Sequence, residues 1–177
     1  AADPKLKNIH EDLGLAHREL KDYEKAVAAF TKAIEADPYG ETAHAERAYA
    51  LFELNRDEEA EKDLLKQMEV APFKAWSYRR LAQLRRSQRR YKEAAELFTK
   101  SLAIDPAPVG DWMDLGNAHA IEGQATEARA AFAKAEQIGL ETGRRTFVAR
   151  GYALLGDMKA ADDLAKKDLP ELMKKVE

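Results

Sequence analysis

The side chains able to do acid–base or metal chemistry are few and regularly spaced. The four histidines are His10, His17, His44 and His119. His10 and His17 stand seven residues apart, on one face if the segment is helical, as a metal pair would need. Helical periodicity accounts for the same positions without a metal. His10 and His44 share one recurring aromatic column, and His17 and His119 share another. Cysteine is absent, which removes disulfides, thiolate zinc sites, iron–sulfur ligation and cysteine nucleophiles together. No HExxH, GxSxG, Walker or dinucleotide-glycine motif occurs. The carboxylates Asp57, Glu58, Glu59 and Glu61 gather at a helix start, where negative charge is favourable. The chain is therefore expected to be no enzyme and to carry no cofactor, catalytic or metal site.

Charge is distributed unevenly. The 177 residues hold 29 Lys+Arg and 32 Asp+Glu, for a net charge of −3, so no global basic field recruits nucleic acid. Between Lys74 and Lys92, however, stand eight basic residues and no acid, which leaves 21 basic against 32 acidic residues elsewhere. Six of the eight are Arg: Arg79, Arg80, Arg85, Arg86, Arg89 and Arg90. Arginine suits bidentate capture of carboxylate or phosphate.

The elements that must position these groups are helical. Only 9 Gly and 6 Pro accompany abundant Ala, Leu, Glu and Lys. With 45% hydrophobic residues the chain is not disordered. Its length fits one domain or a short array, able to bury roughly 70% of its unfolded surface. No apolar run is long enough to span a membrane. Ala recurs at 26, 60, 94 and 128, always 34 apart. Phe30, Leu64, Phe98 and Phe132 follow the same interval, as do His10, His44, Tyr78 and Trp112. The small residues Gly14, Ala48, Ala82 and Gly116 repeat with them. A fixed period of this size marks a stacked repeat array. Leu13, Ala16, His17 and Leu20 form one helical stripe, and Ala26, Ala29, Phe30 and Ala33 the next. Between them lies the polar turn Lys21-Asp22, with counterparts Asn55-Arg56, Arg89-Arg90 and Gly123-Gln124. Pro38, Pro72 and Pro106 stop the second helices.

This pattern resembles the tetratricopeptide repeat. The segment Trp112-Met113-Asp114-Leu115-Gly116-Asn117-Ala118-His119, followed by Ala128 and Phe132, is the most similar copy. The resemblance implies an all-α, right-handed α-solenoid of antiparallel helix pairs with a C-terminal capping helix. The expected organisation is a lead over 1–6 and units over 7–40, 41–74, 75–108 and 109–141. A degenerate fifth unit follows over 142–168, marked by Val148, Ala149, Tyr152, Gly156 and Ala161, and a cap helix over 169–177 opens near Pro170.

In that family the first helices line a concave groove through repeat positions 2, 5, 9 and 12. The resemblance places Thr42, Ala45, Tyr49 and Phe52 there from the second unit, and Trp76, Arg79, Gln83 and Arg86 from the third. The fourth contributes Gly110, Met113, Asn117 and Ala120, and the first Asn8, Glu11, Leu15 and Arg18. The expected partner-binding set is Tyr49, Phe52, Trp76, Arg79, Arg80 and Gln83, with Arg86, Met113 and Asn117. Aromatics would anchor a partner peptide or helix, arginines would fix an acidic group on it, and Asn117 would bond its backbone. Some family members clamp the acidic tail of heat-shock chaperones with Lys, Asn and Arg. The corresponding positions here are Glu11, Leu15, Glu46, Trp76 and Arg80, of which only Arg80 matches. Glu11 and Glu46 would repel such a tail, so no clamp-type chaperone partner is expected.

The function expected is a non-enzymatic protein–protein interaction scaffold or adaptor. The alternative is a helical-repeat nucleic-acid binder using the Arg-rich third repeat. Self-association through the apolar front, Leu6, Ile9 and Leu13, is a further expectation. The start Ala1-Ala2-Asp3 tilts the expected location slightly toward export over the cytoplasm.

Overall fold

The polar turns between paired helices share one backbone conformation. Lys21, Asn55 and Arg89 take φ of 58°, 57° and 61°, and Gly123 and Gly156 take 75° and 74°. A residue in this left-handed region lets the following amide reach back to a carbonyl five residues earlier. Asp22, Arg56, Arg90, Gln124 and Asp157 donate in this way to His17, Leu51, Arg85, His119 and Tyr152, at 2.8–2.9 Å. The first helix is closed and the chain reverses. Asp22 and Asp157 then cap the following helix, accepting from the amides of Lys25 at 3.5 Å and Ala160 at 3.2 Å.

The computed structural model describes residues 4–138 and 144–167. Among them are ten helices and no strand. These are α1 (Pro4–Glu19), α2 (Tyr23–Ala36), α3 (Glu41–Glu53), α4 (Asp57–Val70) and α5 (Ala75–Ser87). They continue as α6 (Tyr91–Ile104), α7 (Val109–Ile121), α8 (Ala125–Ile138), α9 (Arg144–Leu154) and α10 (Met158–Lys166). The helix α1 starts ahead of the expected first unit, with Pro4 in its first turn, where proline's missing N–H is harmless. The cap helix expected over 169–177 lies outside the described residues.

The chain forms two compact units, Ala1–Leu81 and Ala82–Glu177, whose boundary falls within α5. In the first, α1 packs on α2, α2 on α3 and α3 on α4. In the second, α6 packs on α7, α7 on α8 and α9 on α10, and α9 also meets α7 and α8.

The repeating columns are the core. Ala26, Ala60, Ala94 and Ala128 are fully buried, as are Phe30, Leu64, Phe98 and Phe132. Each such phenylalanine contributes about 2–3 kcal/mol by leaving water. The small column exists because these rings need room. A Cβ on Gly14 would strike the Phe30 ring, and one on Gly116 would strike Phe132. Phe132 also fills the space beside Gly151, so one ring of α8 sits against glycines of both α7 and α9.

One polar network is buried in the first unit. Asp63 of α4 accepts from Arg47 of α3 through both carboxylate oxygens at 2.7 Å. Arg47 also donates to Thr31 Oγ1 at 3.0 Å. His44 Nδ1 lies 3.2 Å from Asp63 Oδ1, and its Nε2 lies 3.1 Å from the Pro38 carbonyl. Burial pushes the Asp63 carboxyl upward, but the hydrogen bonds and charges of Arg47 and His44 outweigh it and hold the group below the ordinary aspartate value. His44 is thus tied into the α3–α4 hairpin.

Candidate partner-binding site

Successive first helices are joined by contacts 28 residues apart. In the first unit, Arg18 of α1 forms an ion pair with Glu46 of α3. The Arg80 guanidinium of α5 stacks over the Phe52 ring of α3, 4.5 Å from its centroid. In the second unit, Arg86 of α5 pairs with Asp114 of α7. Repeat position 12 of one hairpin thus meets position 6 of the next. The residue types alternate between salt bridge and cation–π contact. Burial raises the Asp114 carboxyl above its ordinary value, although Arg86 pulls the other way.

A cavity of about 420 Å³ opens in the first unit. Arg18 of α1, Thr42, Ala45 and Tyr49 of α3 and Trp76 of α5 form part of its wall, which places five of the expected groove positions around one space. Tyr49 is braced: its ring meets Tyr23 edge-on at 6.5 Å, and the Arg18 guanidinium stands 5.8 Å from its centroid. The charges around the cavity balance. Arg18 is paired with Glu46, and Lys74 lies 3.6 Å from Glu41. The two most buried lining residues are Gln67 of α4, 3% exposed, and Ser77 of α5, fully buried. Gln67 Oε1 and Ser77 Oγ have no hydrogen-bond partner. Buried polar atoms are normally paired, so this double exception marks the spot.

The structure distributes the remaining expected residues as follows. Phe52 and Arg80 face each other, and Arg79 is half-buried on the same helix. In the second unit, Gln83 is half-buried and Arg86 is neutralised by Asp114. Met113 is 6% exposed and packs in the core with Phe132, so it presents no groove surface. The Asn117 side chain donates to the Met113 carbonyl of its own helix at 2.9 Å.

Within the basic run, Arg85 and Arg90 both pair with Glu93, at 3.3 and 2.6 Å. With Arg80 on Phe52 and Arg86 on Asp114, four of its arginines have partners inside the fold. Among the described residues, no group of three or more His, Cys, Asp or Glu could hold a metal ion. Among them, too, no helix is long and apolar enough to cross a membrane.

Gln67 and Ser77 escaped the sequence reading. Gln67 belongs to a second helix, whereas the expected groove positions lie on first helices. A signal was present: Gln67 stands in the fully periodic column Ala33, Gln67, Ser101 and Ala135, where the others are small.

Models of the tetratricopeptide repeat match residues 8–39 and 75–108. No curated protein matches the chain in sequence. Solved structures share the fold. MamA from Desulfovibrio magneticus RS-1 superposes with a TM-score of 0.86 at 17% identity, covering 99% of this chain and 98% of its own. YrrB, described as a repeat protein with an unusual peptide-binding site, gives 0.80 at 17% identity over 96% of this chain and 93% of its own. The first repeat domain of Spaghetti, bound to the HSP90 peptide SRMEEVD, gives 0.64 at 21% identity over 69% of this chain and 97% of its own. All are all-α solenoids of helical hairpins, as this chain is. Its 34-residue period, the five left-handed turns among its described residues, the two matched repeats and the shared fold converge, and the chain is a member of the tetratricopeptide-repeat family.

Proposed function

We propose that this chain is an interaction scaffold that seats a segment of a partner protein in the cavity between Tyr49 and Trp76. Tetratricopeptide arrays are protein-interaction modules, and two structural neighbours carry peptides or peptide-binding sites. The observation that carries the reading is the cavity itself. It joins two aromatic anchors, a braced wall and unpaired polar atoms in about 420 Å³, the composition of a recognition pocket.

A net acidic segment is not required. Glu41 and Glu46 line the cavity beside Lys74 and Arg18, and an acid approaching Arg86 would compete with Asp114. A carboxylate could instead meet Arg79 and Arg80, and charge reversal at those two positions measures that contribution. The SRMEEVD peptide is predicted not to bind, because Glu11 and Glu46 stand where a clamp needs Lys and Asn.

The test is selection of a random peptide phage library on the whole chain, followed by binding of each winner to a Tyr49→Ala/Trp76→Ala variant. Peptides that lose binding by about ten-fold or more support the site. Failure to enrich any peptide, or equal binding to both proteins, overturns it. A nuclease-sensitive catch from lysate would favour the nucleic-acid reading instead.

A further inference from the structure

The repeat supplies its own control for the unpaired atoms of the cavity. Thirty-four residues after Gln67 and Ser77 stand Ser101 and Asp111. Those two are also buried, and Ser101 Oγ donates to Asp111 Oδ2 at 3.1 Å. One repeat earlier the same positions are Ala33 and Ala43, both buried and apolar. The same junction between successive hairpins is thus sealed by methyl groups in one copy and by a hydrogen bond in another. Only between them is it polar, unpaired and part of the wall of a cavity. Core packing explains the first two copies and not the third.

We propose, resting on the peptide-binding reading above, that Gln67 and Ser77 recognise the side-chain carboxamide of an Asn or Gln in the bound segment. Gln67 Oε1 is an acceptor and needs an N–H. The Ser77 hydroxyl donates as well as accepts. A carboxamide answers both: its NH₂ donates to Gln67 Oε1, and its carbonyl accepts from Ser77 Oγ. A peptide backbone carries the same N–H and C=O groups. However, Gln67 is 3% exposed and Ser77 is fully buried, so the ligand group must be projected inward by a side chain. A carboxylate fails because it has no hydrogen to give and would set its charge against the Gln67 oxygen. A leucine fails because both buried groups would stay unpaired. Trp76 and Tyr49 supply apolar surface for the methylenes of the inserted side chain.

The experiment uses pools of acetylated, amidated hexapeptides in which each position in turn is fixed as Gln, Asn, Glu, Leu or Lys. Each pool is captured on the immobilised full chain and quantified by mass spectrometry. The expected result is that Gln- or Asn-fixed pools are retained about ten-fold more than Glu- and Leu-fixed pools. In Ser77→Ala and Gln67→Leu variants that advantage should fall below about two-fold, with Leu-fixed retention rising because the groups left unpaired by leucine are gone. Helical circular dichroism checks both variants. Ser77→Ala, which removes one oxygen atom, decides the matter if Gln67→Leu fails to fold. Equal retention of all pools, lost on Trp76→Ala, would overturn the carboxamide inference and leave the peptide site standing. Preference for Glu-fixed pools would also overturn it. Retention of no pool would remove both readings.

Discussion

Lys21 holds a φ of 58° without glycine's freedom, a conformation that costs an ordinary residue about 1 kcal/mol. Its side chain is exposed and the turn is held by backbone bonds. Lys21→Gly is therefore predicted to raise stability by about 0.5–1 kcal/mol, read as a higher urea midpoint at constant slope. No change, or a loss, would mean that the left-handed turn is not the strained element described.

Asp63 gives the opposite kind of prediction. Its folded-state pKa is depressed, so its stabilising contribution is complete above the unfolded value near 3.8 and is lost as pH falls through the folded value. Asp63→Asn should cost about 3 kcal/mol near neutral pH, because Arg47 keeps its charge without its partner. It should also flatten the loss of stability below about pH 4. Parallel acid melts of the two proteins check both statements.

Two glycines of α7 separate packing from propensity at the scale of the element. Gly116 lies against Phe132, whereas a Cβ on Gly110 would meet nothing within 4 Å. Gly116→Ala should destabilise by about 1–3 kcal/mol through overpacking. Gly110→Ala should be neutral or stabilising by up to about 1 kcal/mol, because alanine favours helix. Matching thermal melts with the same sign for both would contradict the packing account.

The same contrast explains what the sequence revealed. Helices, turns and core columns were legible because each recurs at 34 residues and each has a local cause. Phe30, Leu64, Phe98 and Phe132 declare themselves by position alone, and all are fully buried. The contacts of Arg18 with Glu46 and of Arg86 with Asp114 were not legible. They run at 28 residues, a spacing set by how adjacent hairpins stack rather than by the repeat length. Arg86 therefore read as an available cation, and Met113 as groove surface, although one is paired and the other lies in the core. Gln67 remained hidden because a polar residue in a small-residue column shows its role only once its neighbours are known.

At the scale of the whole molecule, charge separates the functional readings. The net charge is −3 and the ions around the cavity are paired with each other. Partner binding through Tyr49 and Trp76 should therefore change less than about three-fold between 50 and 500 mM salt. A fall of about a hundred-fold or more would signal a polyanion on the arginine run instead.

The central claim is that the cavity beside Trp76 is where a partner segment sits. The chain has two tryptophans, Trp76 and Trp112, so each can be made the sole reporter. A peptide selected on the whole chain is titrated into Trp112→Phe, where only Trp76 emits, and into Trp76→Phe, where only Trp112 emits. The account predicts a saturable blue shift of Trp76 emission at the peptide's own Kd, as the indole leaves water, with Trp112 silent. A silent Trp76 during saturation of Trp112→Phe, or a response confined to Trp112, would place binding elsewhere and contradict it.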